Sequence, residues 1–168
     1  MKQEQHCVSF VLTGTDSEYW TSCSDQYLEY AVTEYKTLNW ETSQTYCLRF
    51  GSDAHLATPR NIVEKSCIHE LIYGERKNVW IGISNAEDDK LVYFDDKKAV
   101  DQILQKQTVL TNVSRSTKKG ECVSAWTVKK HQNGLRDVYQ KWEYTDCEEK
   151  LKAICQRQSE NDPFCDVS

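Results

Sequence analysis

Eight cysteines are the residues of this 168-residue chain with the most informative chemistry. None of them forms a Cys-x-x-Cys pair, and no close cluster of histidine and cysteine accompanies them. This pattern argues against a zinc site and against a thioredoxin-like redox motif. The use that remains is an oxidised framework of disulfide bonds, which forms in secretory and extracellular compartments. The cysteines therefore predict a secreted protein or a cell-surface ectodomain.

Catalytic patterns are missing from the sequence. The four histidines are scattered, and there is no Gly-x-Ser-x-Gly, His-Glu-x-x-His or phosphate-binding glycine loop. Nucleic-acid signatures are absent as well, because the basic residues are not interleaved with the aromatic side chains on which single strands stack. We therefore expect a protein that is not an enzyme, holds no cofactor and does not bind nucleic acid.

Charge is spread unevenly along the chain. Residues 97–141 contain ten basic and three acidic residues, which gives this segment a formal charge of +7. Because the net charge of the whole chain is -5, the remaining residues carry -12. Such asymmetry favours an anionic partner for this region, and a solvated surface without a special partner is the alternative.

The length fits one domain with appended ends. We expect an N-terminal extension over residues 1–22, a globular domain over 23–157 and a polar tail over 158–168. Mean hydropathy is -0.71, and no apolar run approaches the roughly 20 residues of a membrane helix. A membrane anchor outside this sequence is left open.

Alternation of apolar and polar residues over 28–32 predicts a strand. A first helix is predicted from Asn39, the N-cap, to Gly51. A second helix is predicted with Thr58 as N-cap and Pro59 in its first turn. Its packed face is expected to be formed by Val63, Cys67 and Leu71, with Ile68 and Ile72 beside it.

The second half of the chain contains short apolar segments typical of strands, at 79–83, 91–94, 122–126 and 153–155. Between residues 95 and 120 lies a long polar segment, and a stretch that long in a compact domain is often functional. Two helices followed by several strands predict an α+β domain.

Six short motifs in this order resemble those of C-type lectin-like domains, over residues 23–157. They are Trp40-x6-Cys47, Trp80-Ile81-Gly82-Ile83, Tyr93-Phe94-Asp95-Asp96, Gly120-Glu121-Cys122-Val123, Trp142-x4-Cys147 and Ile154-Cys155-Gln156. His55-Leu56-Ala57 also matches the strand before the second helix of that family. The resemblance implies a C-type lectin-like fold, with two helices packed on small antiparallel sheets and a long loop region.

The resemblance also implies two disulfide bonds, Cys47–Cys155 and Cys122–Cys147. Four cysteines remain, and they allow three pairings. We favour Cys23–Cys67 with Cys7–Cys165, because the two termini of this fold lie close together. A bond between chains, and hence a dimer, is left open.

The calcium site of the sugar-binding members of this family is not matched. Those members use Glu-Pro-Asn or Gln-Pro-Asp in the long loop and an Asn-Asp pair after the Trp of Trp-x4-Cys. Here residues 110–115 contain no proline and no acid, and the pair is replaced by Glu143-Tyr144. Calcium needs six to eight oxygen ligands. We therefore expect no metal, and we expect Asp95 and Asp96 to end a strand and begin the loop.

The predicted function is calcium-independent binding of a protein, or of a sulfated or sialylated glycan, through residues 95–141, as in a receptor or an adhesion module. The rivals are a calcium-dependent sugar lectin and a structural module of a larger extracellular assembly. The one sequon, Asn112-Val113-Ser114, predicts a glycan at Asn112. The expected ligand-binding residues are Lys97, Lys98, Arg115, Lys118, Lys119, Lys129 and Lys130.

Overall fold

The computed structural model describes residues 19–22, 27–34, 36–85, 90–102, 104, 122–132 and 135–159, with the backbone alone for 128–132 and 135–139. The described helices are α1 (Trp40–Cys47), extended by a 3-10 turn over Leu48–Phe50, and α2 (Ile62–Ile72). The described strands are β1 (Thr21–Ser22), β2 (Leu28–Val32), β3 (His55–Leu56), β4 (Val79–Asn85), β5 (Leu91–Tyr93), β6 (Cys122–Gln132), β7 (Leu135–Thr145) and β8 (Lys152–Gln158).

The described strands form a mixed sheet in the order β1-β2-β8-β4-β6-β7. Strand β8 joins the two halves of the sheet, because it pairs antiparallel with β2 and parallel with β4. Strand β3 pairs with β8, and β5 pairs with β4. The α+β class and the C-type lectin-like architecture predicted from the sequence are therefore confirmed.

The domain boundary predicted at 22/23 falls at the end of β1, and the one predicted at 157/158 falls within β8. Thr21 and Ser22 of β1 pair with Tyr30 and Glu29 of β2. At the other boundary, Gln158 pairs with Leu28. The boundaries themselves stay a prediction, and most of the extension and of the tail lies outside the described residues.

Helix α1 begins where the sequence predicts. The Asn39 side chain accepts a hydrogen bond from the backbone N–H of Thr42 at 2.8 Å, which satisfies one of the free donors of the first turn. The α-helix proper ends at Cys47, and the 3-10 turn carries the chain to Gly51.

Helix α2 begins three residues later than predicted, because Asn61 rather than Thr58 is its N-cap. The Asn61 side chain accepts from the backbone N–H of Glu64 at 2.9 Å. Thr58 is buried, and its own N–H donates to the Gln156 side chain of β8. Thr58 therefore lies in the segment before the helix, where a tertiary hydrogen bond holds its backbone.

The buried face of α2 also differs from the predicted one. Its buried residues are Glu64, Cys67, Ile68 and Ile72, and these include the two isoleucines expected beside the face. Val63, predicted to pack, is 50% exposed. The buried face of α2 is therefore centred on Glu64, Cys67, Ile68 and Ile72 and does not include Val63.

Two tryptophans fasten α1 to β4 through reciprocal hydrogen bonds. Trp40 Nε1 donates to the Ile81 carbonyl at 2.8 Å, and Trp80 Nε1 donates to the Leu38 carbonyl at 2.9 Å. Trp80 and Trp142 are fully buried. Trp40, the first residue of α1, packs against the core cluster that contains Trp80. Their indole rings therefore stabilise the fold.

Two disulfide bonds join described cysteines, and they are the two that the resemblance implies. Cys47 at the end of α1 is bonded to Cys155 of β8, 108 positions away, and Cys122 of β6 is bonded to Cys147, 25 positions away. No helix within the described ranges is long and apolar enough to cross a membrane.

Candidate functional site

The first two predicted ligand-binding residues, Lys97 and Lys98, lie on an exposed turn after β5. Both side chains are exposed, and neither forms an ion pair with another described residue. Lys97 has a φ of 60°, the left-handed conformation that non-glycine residues adopt rarely. The turn is closed by backbone hydrogen bonds from Lys97 N–H to the Tyr93 carbonyl and from Tyr93 N–H to the Lys98 carbonyl.

The two acidic residues before these lysines belong to the same turn, as the sequence predicts. Their carboxylates are paired with Arg60, at 2.7 Å for Asp95 and 2.8 Å for Asp96. Sequence reasoning missed Arg60, because it lies 35 positions from Asp95 in a separate segment. The single positive charge of Arg60 offsets one of the two negative charges beside Lys97 and Lys98.

Lys129 and Lys130 lie on strand β6, which pairs with β7 in one continuous antiparallel register from Cys122–Thr145 to Gln132–Leu135. The sequence analysis found only the first five residues of β6 and missed β7. The signal that predicts this hairpin is Asn133-Gly134 between the two strands, since Asn-Gly is the strongest short hairpin signal. Arg115, Lys118, Lys119 and Asn112 lie outside the described residues.

Trp126 and Lys141 face each other across the β6–β7 hairpin. They are a register pair, and the Lys141 ammonium lies 5.5 Å from the centre of the Trp126 ring. A cation over an indole face is attracted by the ring quadrupole. Lys141 is thus a further cation of the basic segment that sequence reasoning left out of the site.

At the family's calcium position, the described side chains are joined by hydrogen bonds. Glu143 stands at the first position of the family's Asn-Asp pair, and its carboxylate accepts a hydrogen bond from the Asn78 side chain at 2.8 Å. Ser124 binds the same Asn78 amide and contacts Thr145 Oγ1. No group of three or more histidine, cysteine or acidic residues that could hold a metal is found in the described segments.

Cys67, buried on α2, is also disulfide-bonded. The other four described cysteines are bonded to each other, so its partner is Cys7, Cys23 or Cys165, all outside the described residues. Cys67 shares a core cluster with Tyr30 of β2, the strand that pairs with β1, and β1 ends one residue before Cys23. The Cys23–Cys67 and Cys7–Cys165 pairings stay predictions.

The buried carboxylate of Glu64 lies at the start of α2, where the charge of Arg60 acts on it. Burial raises the pKa of Glu64, while the backbone N–H and the charge of Arg60 lower it. Burial and the Glu64 charge raise the pKa of Tyr30, whose hydroxyl is buried with no hydrogen-bond partner in the described structure. Burial also raises the pKa of Tyr93, to about 12.

Replacing Glu64 by glutamine is expected to change the pH dependence of stability. Because burial raises the folded-state pKa of Glu64 above its unfolded value, its contribution is complete at low pH and is lost as pH rises through the folded pKa. The wild type should therefore lose stability relative to Glu64→Gln as pH rises from about 4 through the raised pKa of Glu64. Urea unfolding of both proteins across this range measures the difference, and a constant difference would contradict the argument.

Comparison with known proteins identifies the class of protein that this fold and its two disulfides define. The family model described as "Lectin C-type domain" matches residues 36–157. The chain belongs to the C-type lectin domain family.

The chain is similar to several known members of this class. A C-type lectin mannose-binding isoform of the snake Notechis scutatus scutatus is 25% identical over 121 residues, 70% of each chain. Human lithostathine has a TM-score of 0.61 at 20% identity, over 83% of this chain and 88% of its own. The C-type lectin domain of murine dendritic cell inhibitory receptor 2, solved with an N-glycan, has a TM-score of 0.60 at 16% identity, covering 83% and 96%. These structural similarities show the fold.

Proposed function

We propose that this chain is an extracellular binding module that recognises an anionic partner without calcium, through the face formed by residues 95–141. The partner that we favour is a protein with an acidic surface. The observation that carries the proposal is the turn after β5, where Lys97 and Lys98 are exposed while the adjacent carboxylates are paired with Arg60. The ammonium groups of Lys97 and Lys98 are therefore accessible to a partner.

Three further facts support this proposal. The segment from Lys97 to Lys141 carries +7 in a chain of net charge -5. The carboxylate of Glu143 is hydrogen-bonded to Asn78 at the family's calcium position. C-type lectin-like domains are typically binding modules rather than enzymes. The extracellular part of the proposal is supported separately by the disulfide bonds, which form in oxidising compartments.

Binding to an immobilised polyglutamate peptide is expected to weaken strongly between about 0.05 M and 0.5 M salt, because salt screens exposed charges. Lys97→Asn with Lys98→Gln should weaken binding by about fivefold at low salt, the order of two exposed ion pairs. Asparagine is chosen at position 97 because it tolerates the left-handed backbone. Surface plasmon resonance provides the measurement.

Parallel measurements separate the rival functions. Calcium chelation should leave binding unchanged, and release of the protein by chelator would indicate a calcium-dependent lectin. Tighter binding of a heparin oligosaccharide than of polyglutamate would assign the face to sulfated glycans. Binding to neither probe, or binding that is insensitive to salt, would overturn the proposal and favour a structural module.

A further inference from the structure

Arg60 joins two segments that are distant in sequence, the entry of α2 and the turn after β5. Its Nη2 donates to both carboxylate oxygens of Asp95 at 2.7 Å, and its Nη1 donates to Asp96 at 2.8 Å. A planar guanidinium presents donors in a fixed fork, so it can hold two carboxylates at once, whereas a lysine ammonium is a point charge.

The guanidinium of Arg60 also lies over the ring of Tyr93. Arg60 Cζ lies 4.0 Å from the ring centre, and the Tyr93 hydroxyl donates to the Pro59 carbonyl. Tyr93 is only 3% exposed and belongs to the main core cluster. The Arg60 guanidinium therefore lies between the buried ring of Tyr93 and the two carboxylates of the turn.

The carboxylate of Asp96 in turn fixes the backbone that carries the lysines. Its Oδ1 accepts from the backbone N–H of Lys98 at 3.0 Å, while Oδ2 accepts from Arg60. Lys97, which has the left-handed φ, lies between Asp96 and Lys98, the two residues that this hydrogen bond joins. Arg60 thus binds both carboxylates of the turn, and one of these carboxylates also binds the turn's backbone.

We propose that Arg60 is a positioning residue of the anion-binding face, which acts through Asp95 and Asp96 and makes no contact with the partner itself. This inference rests on the proposed function, because it assigns to Arg60 the orientation of Lys97 and Lys98 toward the partner. It also distinguishes two accounts of the face. If only net charge matters, removing acids strengthens binding, whereas if orientation matters, removing these acids weakens it.

The decisive variant is Asp95→Asn with Asp96→Asn. It makes the turn more positive by two charges, yet it removes the ion pairs with Arg60 and leaves each side chain one acceptor oxygen in place of two, so we expect binding of the polyglutamate peptide to fall by roughly two- to fivefold. Arg60→Lys keeps the charge and loses the fork, and we expect a similar loss. Binding is measured well below the unfolding temperature, and thermal unfolding confirms that each variant is folded.

The matched control is the Lys97→Asn, Lys98→Gln variant, which keeps Arg60, Asp95 and Asp96. If this control binds as tightly as the wild type, the proposed function fails at this turn, and the role of Arg60 fails with it. If the control binds weakly while the Asp95→Asn, Asp96→Asn and Arg60→Lys variants bind as tightly as the wild type or more tightly, the positioning role alone is overturned. A purely structural role for Arg60 predicts a lower unfolding temperature with unchanged affinity, which also overturns it.

Discussion

Removal of the Cys47–Cys155 bond by alanine at both positions is expected to lower the free energy of unfolding by about 4 to 5 kcal/mol. The bond closes a loop of 108 positions, so its loss releases a large conformational entropy in the unfolded chain. Both cysteines are buried between α1 and β8. Urea unfolding monitored by tryptophan fluorescence measures the change as a shift of the midpoint.

The Cys122–Cys147 bond is the matched control for this prediction. Its loop spans 25 positions, and the same entropic argument predicts a smaller loss, of about 3.5 kcal/mol, for the double alanine variant. Equal losses, or a larger loss for the shorter loop, would show that native packing rather than loop entropy determines the contribution of these bonds.

Gly82→Ala is expected to lower the free energy of unfolding by about 1 to 3 kcal/mol. A Cβ atom at this position of β4 would lie 2.8 Å from the Leu56 carbonyl oxygen and 2.9 Å from the Phe94 ring. The Gly82 backbone also binds Ala57 and Phe94 through its N–H and its carbonyl, so the strand has little freedom to retreat. Thermal and urea unfolding measure the loss.

Two variants make the reason for this loss testable. Gly74→Ala meets no atom within 4 Å, and we expect it to leave stability unchanged or to raise it by up to about 1 kcal/mol. Gly82→Ala combined with Phe94→Leu removes the ring but not the Leu56 carbonyl, so it should not restore stability. Full recovery in the double variant would contradict a backbone clash.

The sequence predicts those parts of the fold that depend on neighbouring residues or on a motif. The alternation in β2 and the cap at Asn39 follow from local rules, and the structure has both. The predicted start of α2 is wrong: Asn61 caps the helix, and Thr58 is buried in the segment before it, bound to Gln156, a residue 98 positions away that no local rule includes. Membership of the C-type lectin family, predicted from six motifs, is confirmed.

The candidate site was less predictable than the fold. Charge counting finds Lys97 and Lys98, but it treats Asp95 and Asp96 only as the start of a loop. Their pairing with Arg60 depends on how β5 packs against the entry of α2, which is a property of the folded domain. The β6–β7 hairpin was missed for a different reason, since its middle is polar and its Asn133-Gly134 signal was not used.

The pairing of β2 with β8 determines how this domain responds to mechanical tension. Leu28 pairs with Gln158, and Ser159 N–H donates to the Tyr27 carbonyl, so a pull on the two ends opens β2 from β8 one hydrogen bond at a time. The opening reaches Cys155, where the bond to Cys47 carries the load directly between α1 and β8. The turn of Lys97 and Lys98 lies between these two cysteines, so the bond offers the applied force a path that bypasses the turn.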